Sequence, residues 1–436
     1  MNTFHRILPI LLILSGPGLR AQAPEDVPLE ITPRLVDDLL AEASGRNPVV
    51  LAAGARADAA AAAVDSVRTW EDPVLTLGVW GSTPRGVPAS QQGNIIYGIE
   101  QKLPLFGHPQ LARHVAEARA ARDLLSAGSA REELRRDITL ALLDIALTDR
   151  ATELAVQNLG WSETSLASVD ARYRSGRAGQ VEWLAAETER AEAAEQLTTL
   201  RAMRTSQEEQ ADRLLSRERS ARWPAVSLPG VAGVVVYDER IIDAALASAP
   251  RLKVLRQEAV RNAAAAYLTW HLRMPEVGVG LEARQYTGDA GLREGLMTVN
   301  LSLPWVNSGR YDSDAARDKA LVRAAERDAD AYADQVREEI HHSCVDLDTA
   351  RRRALLYRDQ LIPLAEQALA GSQDAWEGGQ ARFQDILEAH RALVADRLAL
   401  AQAVTDQRRE MAALTLLTGV SDLPATFAPN PTAPRH

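Results

Sequence analysis

The sequence predicts a mainly α-helical chain with a small β part, built from two tandem copies of one unit. Three observations predict it: landmarks that recur some 200 residues apart, four short segments of period-two alternation, and two helical stretches too long for a compact globule.

Taken in order, residues 1–23 read as an export signal. His5 and Arg6 precede an apolar run from Ile7 to Leu14; Ser15, Gly16, Pro17 and Gly18 break it; Ala21-Gln22-Ala23 offers small residues for cleavage, with Pro24 favouring a cut after Ala21. A run this short cannot span a bilayer but suits a secretory signal, a buried N-terminal helix being the competing reading. With no Cys near the site, a lipid-anchored form is not expected. Removing this segment leaves 47 bases against 59 acids, a formal charge of −12 against −10 for the whole chain.

The duplication follows from an offset of 202 that lays Asn47-Pro48-Val49-Val50-Leu51 over Ala249-Pro250-Arg251-Leu252-Lys253 and Pro73 over Pro275. Leu103-Pro104-Leu105-Phe106 matches Leu303-Pro304-Trp305-Val306, and Tyr173-Arg174-Ser175-Gly176 matches Trp376-Glu377-Gly378-Gly379. Four landmarks in fixed order divide the exported chain into a first repeat at 24–218, a linker at 219–238, a second repeat at 239–419 and a flexible tail at 420–436.

Each repeat opens with a helix, Pro48 to Arg68 and Pro250 to His271, halted by a proline. Two strands follow: about 74–81 and 94–103 in the first copy, 276–286 and 295–303 in the second. Met297, Val299, Leu301 and Leu303 alternate with Thr298, Asn300 and Ser302, and Leu75, Leu77 and Val79 alternate with Thr76 and Gly78. Strands of roughly ten residues with this dyad pattern match those of a transmembrane barrel, or a half-buried strand pair packed on helices. Turn-rich loops at 82–93 and 287–295 close the hairpins. One chain supplies four strands, whereas about eight is the smallest number that closes a barrel, so membrane-spanning strands would require oligomers.

Long helical hairpins then run over about 110–216 and 312–417. Their first arms, of about 64 residues, would be on the order of 95 Å long. Ile138, Ile145, Thr152, Leu159, Leu166 and Tyr173 share one heptad position, with Ala141, Ala155 and Val169 three residues after members of it, and Ile340, Leu347, Ala354, Leu361 and Ala368 keep the register in the second copy, the pattern of an antiparallel coiled coil. No later stretch has the apolar length of a membrane-spanning helix. A single Cys, Cys344, leaves no disulfide framework or CxxC site, and bases scattered among acids argue against nucleic acid as a partner.

An export signal, a tandem duplication, two hairpins and long helices broken at Tyr173-x-x-Gly176 and Trp376-x-x-Gly379 together resemble the TolC family of outer-membrane efflux proteins. Trp70-Glu71-Asp72-Pro73 and Gln101-Lys102-Leu103-Pro104-Leu105-Phe106-Gly107 fit the same family, and Leu361-Ile362-Pro363 is more similar to its heavy-metal (cobalt/zinc/cadmium, CzcC-like) branch. The resemblance implies a homotrimer whose chains join one twelve-stranded barrel in outer-membrane lipid, a periplasmic adaptor docked on the helix tips, and an inner-membrane RND-type pump. Type I protein secretion and an exported periplasmic coiled-coil scaffold remain alternatives. The resemblance also implies an acid-lined aperture near the helix breaks, carried by Asp385 and Glu388, with Glu182 helping to hold it closed. The family's Tyr and Arg partners in that closing network fall on Trp376 and Ala381, with Arg382 next to the latter. Independently, carboxylates gathered around a symmetry axis would attract cations and repel anions. Asp385 and Glu388 could equally form a solvated helix face.

No hydrolase, P-loop or dinucleotide motif occurs in a supporting context, so the expected protein is not an enzyme and takes no cofactor. His341 and Cys344 share a helix face but are too few for a zinc site, and no resident metal is expected.

Overall fold

The structure is a computed structural model that describes residues 28–80, 94–218, 223–286 and 291–428. The expected export signal and the loop at 82–93 lie outside the described residues.

In the first repeat, β1 (Leu29–Glu30) leads into α1 (Pro33–Ser44) and α2 (Pro48–Ser66). Thr32 Oγ1 accepts from Leu35 N at 3.2 Å and Asn47 Oδ1 from Val49 N at 2.9 Å. A proline follows each cap, where the helix has no use for its missing N–H. After β2 (Val74–Trp80) and β3 (Asn94–Leu103), the chain turns at Leu105–Gly107 into α3 (His108–Arg174), and α4 (Gln180–Leu215) returns alongside it. With 67 residues, α3 is about 100 Å long. The linker contributes β4 (Val226–Ser227), which pairs in parallel with β1.

The second repeat repeats the plan with α5 (Glu239–Ser248), α6 (Pro250–His271), β5 (Val277–Tyr286) and β6 (Leu292–Leu301). Its first long arm comprises α7 (Ser308–Leu356), a π turn at Tyr357–Leu361 and α8 (Ile362–Glu377). The return arm α9 (Phe383–Thr418) is followed by α10 (Leu423–Thr426). β6 begins three residues before the strand expected at 295, because Leu292 and Glu294 pair with Gln285 and Arg284 across a register shift in β5.

Duplication is visible in the cores. Val36, Leu39 and Leu40 of α1 bury against Ile138, Leu142 and Ile145 of α3 and Leu215 of α4. Ile241 and Ala245 of α5 bury against Ile340, Cys344 and Leu347 of α7 and Leu417 of α9, so Ile138, Leu142, Ile145 and Leu215 recur as Ile340, Cys344, Leu347 and Leu417, each 202 positions on. The expected seven-residue seam holds along one of its two positions: Ala141, Ala155 and Val169, with Thr148 and Ser162 between them, are all buried, whereas the position of Ile138 and Ile145 gives way to Leu154 and Asn158, and Tyr173 and Ala368 are exposed.

Thr152, Leu159 and Leu166 sit at the seam's margin, half-buried.

The linker is strapped to both repeats. Arg204 of α4, ion-paired with Asp149 and Glu208, donates to the carbonyls of Trp223 and Pro224 at 3.1 Å each, and Val226 N donates to Asp149 Oδ2 at 2.8 Å. Further along, Gln407 of α9 accepts from Ala232 N at 2.9 Å and donates to Ala232 O at 3.1 Å. Of the expected flexible tail at 420–436, residues 429–436 lie outside the described residues, while Leu423 and Phe427 are 0% and 3% exposed in the second core and Val236 N donates to Phe427 O at 3.0 Å. Two apolar side chains and a backbone bond anchor this segment.

The four long strands form one antiparallel sheet, ordered β2-β3-β5-β6. In register across it stand Leu75, Ile99, Leu281 and Met297, all on one face. The opposite face carries Thr76, Gly98, Glu282 and Thr298, together with Glu100, which accepts from Asn300 Nδ2 at 2.8 Å. Among the described residues no helix is long and apolar enough to cross a membrane.

Candidate functional site

Two places in the fold are built for interaction: the sheet's apolar face and the paired helix tips at its far end. On the sheet, Leu75, Leu77, Leu281 and Met297 are between 58% and 68% exposed. Apolar side chains in such a continuous array are the ones a soluble fold covers.

At the tips, the two helix breaks have the same geometry. Gly176 and Gly379 both take φ +72°, in the left-handed region where a Cβ is unfavourable. The N–H groups of Arg177 and Gln380 donate at 2.8 Å to Arg172 O and Ala375 O, closing equivalent C-terminal turns. Glu182 and Asp385 then occupy equivalent first-turn positions of α4 and α9, where a carboxylate favours the positive end of the helix dipole. Asp385 Oδ2 accepts from Arg382 N at 2.9 Å, and the Arg382 guanidinium lies 3.4 Å from Oδ1. Arg382 is thus occupied within its own helix start. Glu388, one turn further, is exposed. Neither Glu182 nor Glu388 has an ion-pair partner among the described residues.

Tyr173 is exposed, its ring 6.4 Å from that of Trp183 in a tilted arrangement. Trp376 is instead drawn into the seam between repeats. The Arg172 guanidinium stacks over its ring at 3.6 Å from the centroid, and Phe383 lies 6.0 Å away on the following helix. Arg172 Nη1 also points at Trp376 O, at 3.5 Å. The clamp residue Arg172 was not singled out from sequence, although it immediately precedes Tyr173.

Two further ties between the repeats lie behind this clamp. Arg391 of α9 donates to Glu189 Oε2 at 2.8 Å and Glu192 Oε2 at 3.2 Å on α4. Glu189 is buried while Arg391 is half-exposed, and the carboxylates hold the guanidinium's pKa above its ordinary value, the bond to Glu189 contributing most. His390 stacks on Trp161 with ring centroids 3.6 Å apart and an interplanar angle of 9°, and its Nε2–H donates to Asn158 Oδ1 at 2.8 Å. Its Nδ1 is buried without a partner. Burial, reinforced by the Arg397 charge, pushes the imidazole pKa down from 6.5 to about 4.

The neutral imidazole is therefore the form the folded tips favour. Its contribution to stability is complete above about pH 6.5 and is lost as pH falls through about 4. Thermal melts between pH 7 and pH 4 are expected to show this decline, and His390→Gln, which keeps a donor for Asn158 but cannot titrate, is expected to flatten it. Equal slopes in the two proteins would refute the role assigned to His390.

Cys344 is buried in the second core, its thiol pushed up to about 11 by desolvation first and then by the Asp238 charge. His341 packs edge-on against Tyr237. Among the described residues no group of three or more His, Cys, Asp and Glu side chains is placed to hold a metal ion.

Residues 39–217, most of the first repeat, match the family model described as outer membrane efflux protein. A curated relative, the outer membrane efflux protein BepC of Brucella suis, is 30% identical over 138 residues, which is 30% of this chain and 30% of that protein. Among solved structures, the outer-membrane channel OprN superposes with a TM-score of 0.78 at 17% identity, covering 90% of this chain and 91% of that one. The outer membrane protein VceC of Vibrio cholerae gives 0.75 at 18% identity, covering 88% and 96%. The fold is therefore that of these outer-membrane channels.

Proposed function

We propose that the chain is the outer-membrane channel of a tripartite efflux system, conducting cargo passively and without catalysis. The observation that carries this reading is the four-stranded sheet, apolar and exposed on one face, set on helices about 100 Å long. β2 and β6 are its unpaired edges and run in opposite directions, so β6 of one chain can pair antiparallel with β2 of the next. Three copies then give twelve strands with no free edge and place the apolar face in lipid. The paired tips reach across the periplasm to an adaptor and an inner-membrane RND-type pump.

Within this reading, Asp385, Glu388 and Glu182 line the aperture, and Gly176 and Gly379 shape the tips that the adaptor meets. Acids repeated by threefold symmetry favour cations, which supports heavy-metal cations as cargo ahead of drugs. Leu361-Ile362-Pro363 supports the same choice only by resemblance.

The test combines fractionation with conductance. The protein is expected in the outer-membrane fraction as a heat-modifiable trimer that forms cation-selective channels in planar bilayers. Replacing both Asp385 and Glu388 by Ala is expected to raise conductance and reduce cation selectivity. A freely soluble protein would overturn the channel; unchanged selectivity in the double variant would overturn the acid aperture.

A further inference from the structure

Between the two repeats lies a cavity of about 170 Å³ with Arg408 in its wall. Its apolar lining comes from Ile31 and Val36 at the N-terminal side, Leu143 of α3, Pro229 of the strap, and Met411 and Leu416 of α9. Glu132 and three arginines also line it. Two have counter-charges: Arg135 lies 2.9 Å from Asp37 and 3.3 Å from Glu132, and Arg136 lies 2.8 Å from Asp137.

The third, Arg408, has no carboxylate partner among the described residues. Its Nη2 donates to Gly230 O at 2.7 Å, and its Nε is buried with no acceptor. Desolvation is the cause that lowers its pKa from the ordinary arginine value, with no compensating charge. A partly desolvated cation beside an apolar hollow is unfavourable by itself and becomes favourable when an anion fills the space. The hollow's size limits the ligand, since an apolar cavity of about 150 Å³ accommodates benzene.

We propose that this cavity binds a small organic monoanion, its carboxylate on Arg408 and an apolar body of about benzene size against Leu143, Met411 and Leu416. The lining distinguishes this ligand from inorganic phosphate or sulfate, which would leave the apolar wall unused. The single unpaired cation sets the ligand charge at one. An occupant would bridge α3 of the first repeat, α9 of the second and the strap between them. The site is independent of conduction, so its failure would leave the channel reading intact.

Titration calorimetry of the purified full-length protein in a nonionic detergent, with sodium benzoate as probe, tests the proposal. Saturable binding of one benzoate per chain is expected, weakened at least tenfold in Arg408→Met. Benzyl alcohol, similar in shape but neutral, is expected to bind more weakly than benzoate and to be insensitive to that substitution. Ala412→Leu fills the cavity while leaving Arg408 and its bond to Gly230 in place, and is expected to abolish benzoate binding without lowering the melting temperature. Absence of saturable binding to the wild-type protein, equal affinity for benzoate and benzyl alcohol, or unchanged benzoate affinity in Ala412→Leu would each overturn the site.

Discussion

Leu77→Arg is expected to lower the heat-modifiable oligomer recovered from the outer membrane by at least tenfold. Leu77 lies in the middle of β2, on the apolar face, and is 68% exposed in the isolated chain. If that face meets lipid, an arginine near the bilayer midplane costs about 2–4 kcal/mol per chain. Each 1.4 kcal/mol is about a factor of ten in an equilibrium, and three chains carry the same substitution in a trimer. Asn300→Arg is the matched control: it adds the same charge on the opposite face, beside Glu100, and is expected to leave insertion near wild type. Membrane recovery of Leu77→Arg at the wild-type level would show that this face does not meet lipid.

The second large effect is expected at the tips. Replacing Arg172 and Arg391 together by Ala is expected to raise single-channel conductance several-fold. Arg172 supplies the cation over Trp376, an interaction worth about 0.5–2 kcal/mol depending on how far it is desolvated. Arg391 neutralises the buried Glu189, and removing one partner of a buried pair costs about 3–5 kcal/mol, a range to be reduced here because Arg391 is half-exposed. Both losses fall on contacts between the repeats, so they destabilise the arrangement in which the tips are held together. Conductance unchanged from wild type would remove the clamp from the gating account, and the single variants would apportion the effect between the two arginines.

Much of the architecture was legible because its signals are local or repeated. The alternation of Leu75, Leu77 and Val79 with Thr76 and Gly78 needs only a window of a few residues, and matching Tyr173-Arg174-Ser175-Gly176 to Trp376-Glu377-Gly378-Gly379 locates both breaks, each with a left-handed glycine. What could not be read depends on contacts between distant segments. Arg172 and Trp376 are 204 positions apart, as separate in sequence as the repeats themselves. His390 carries no periodic signal that would pair it with Asn158 or Trp161. The heptad position of Ala141, Ala155 and Val169 is buried throughout, but no local signal shows that Leu159 and Tyr173 leave the contact. The packing of Leu423 and Phe427 was not legible because they are isolated apolar residues among prolines and small side chains, too sparse for any periodicity.

The π turn at Tyr357–Leu361 distributes mechanical compliance unequally between the two arms. Pro363, just beyond it, lacks an N–H and would press its ring against the carbonyl of Asp359 in a regular helix; the wider turn accommodates both effects. At the corresponding place in the first repeat, Leu154–Asn158, α3 continues without interruption. One arm is thus a continuous mast and the other a jointed one. A lateral load on the tips would be borne by the first and yielded to by the second, with the bend concentrated at 357–363.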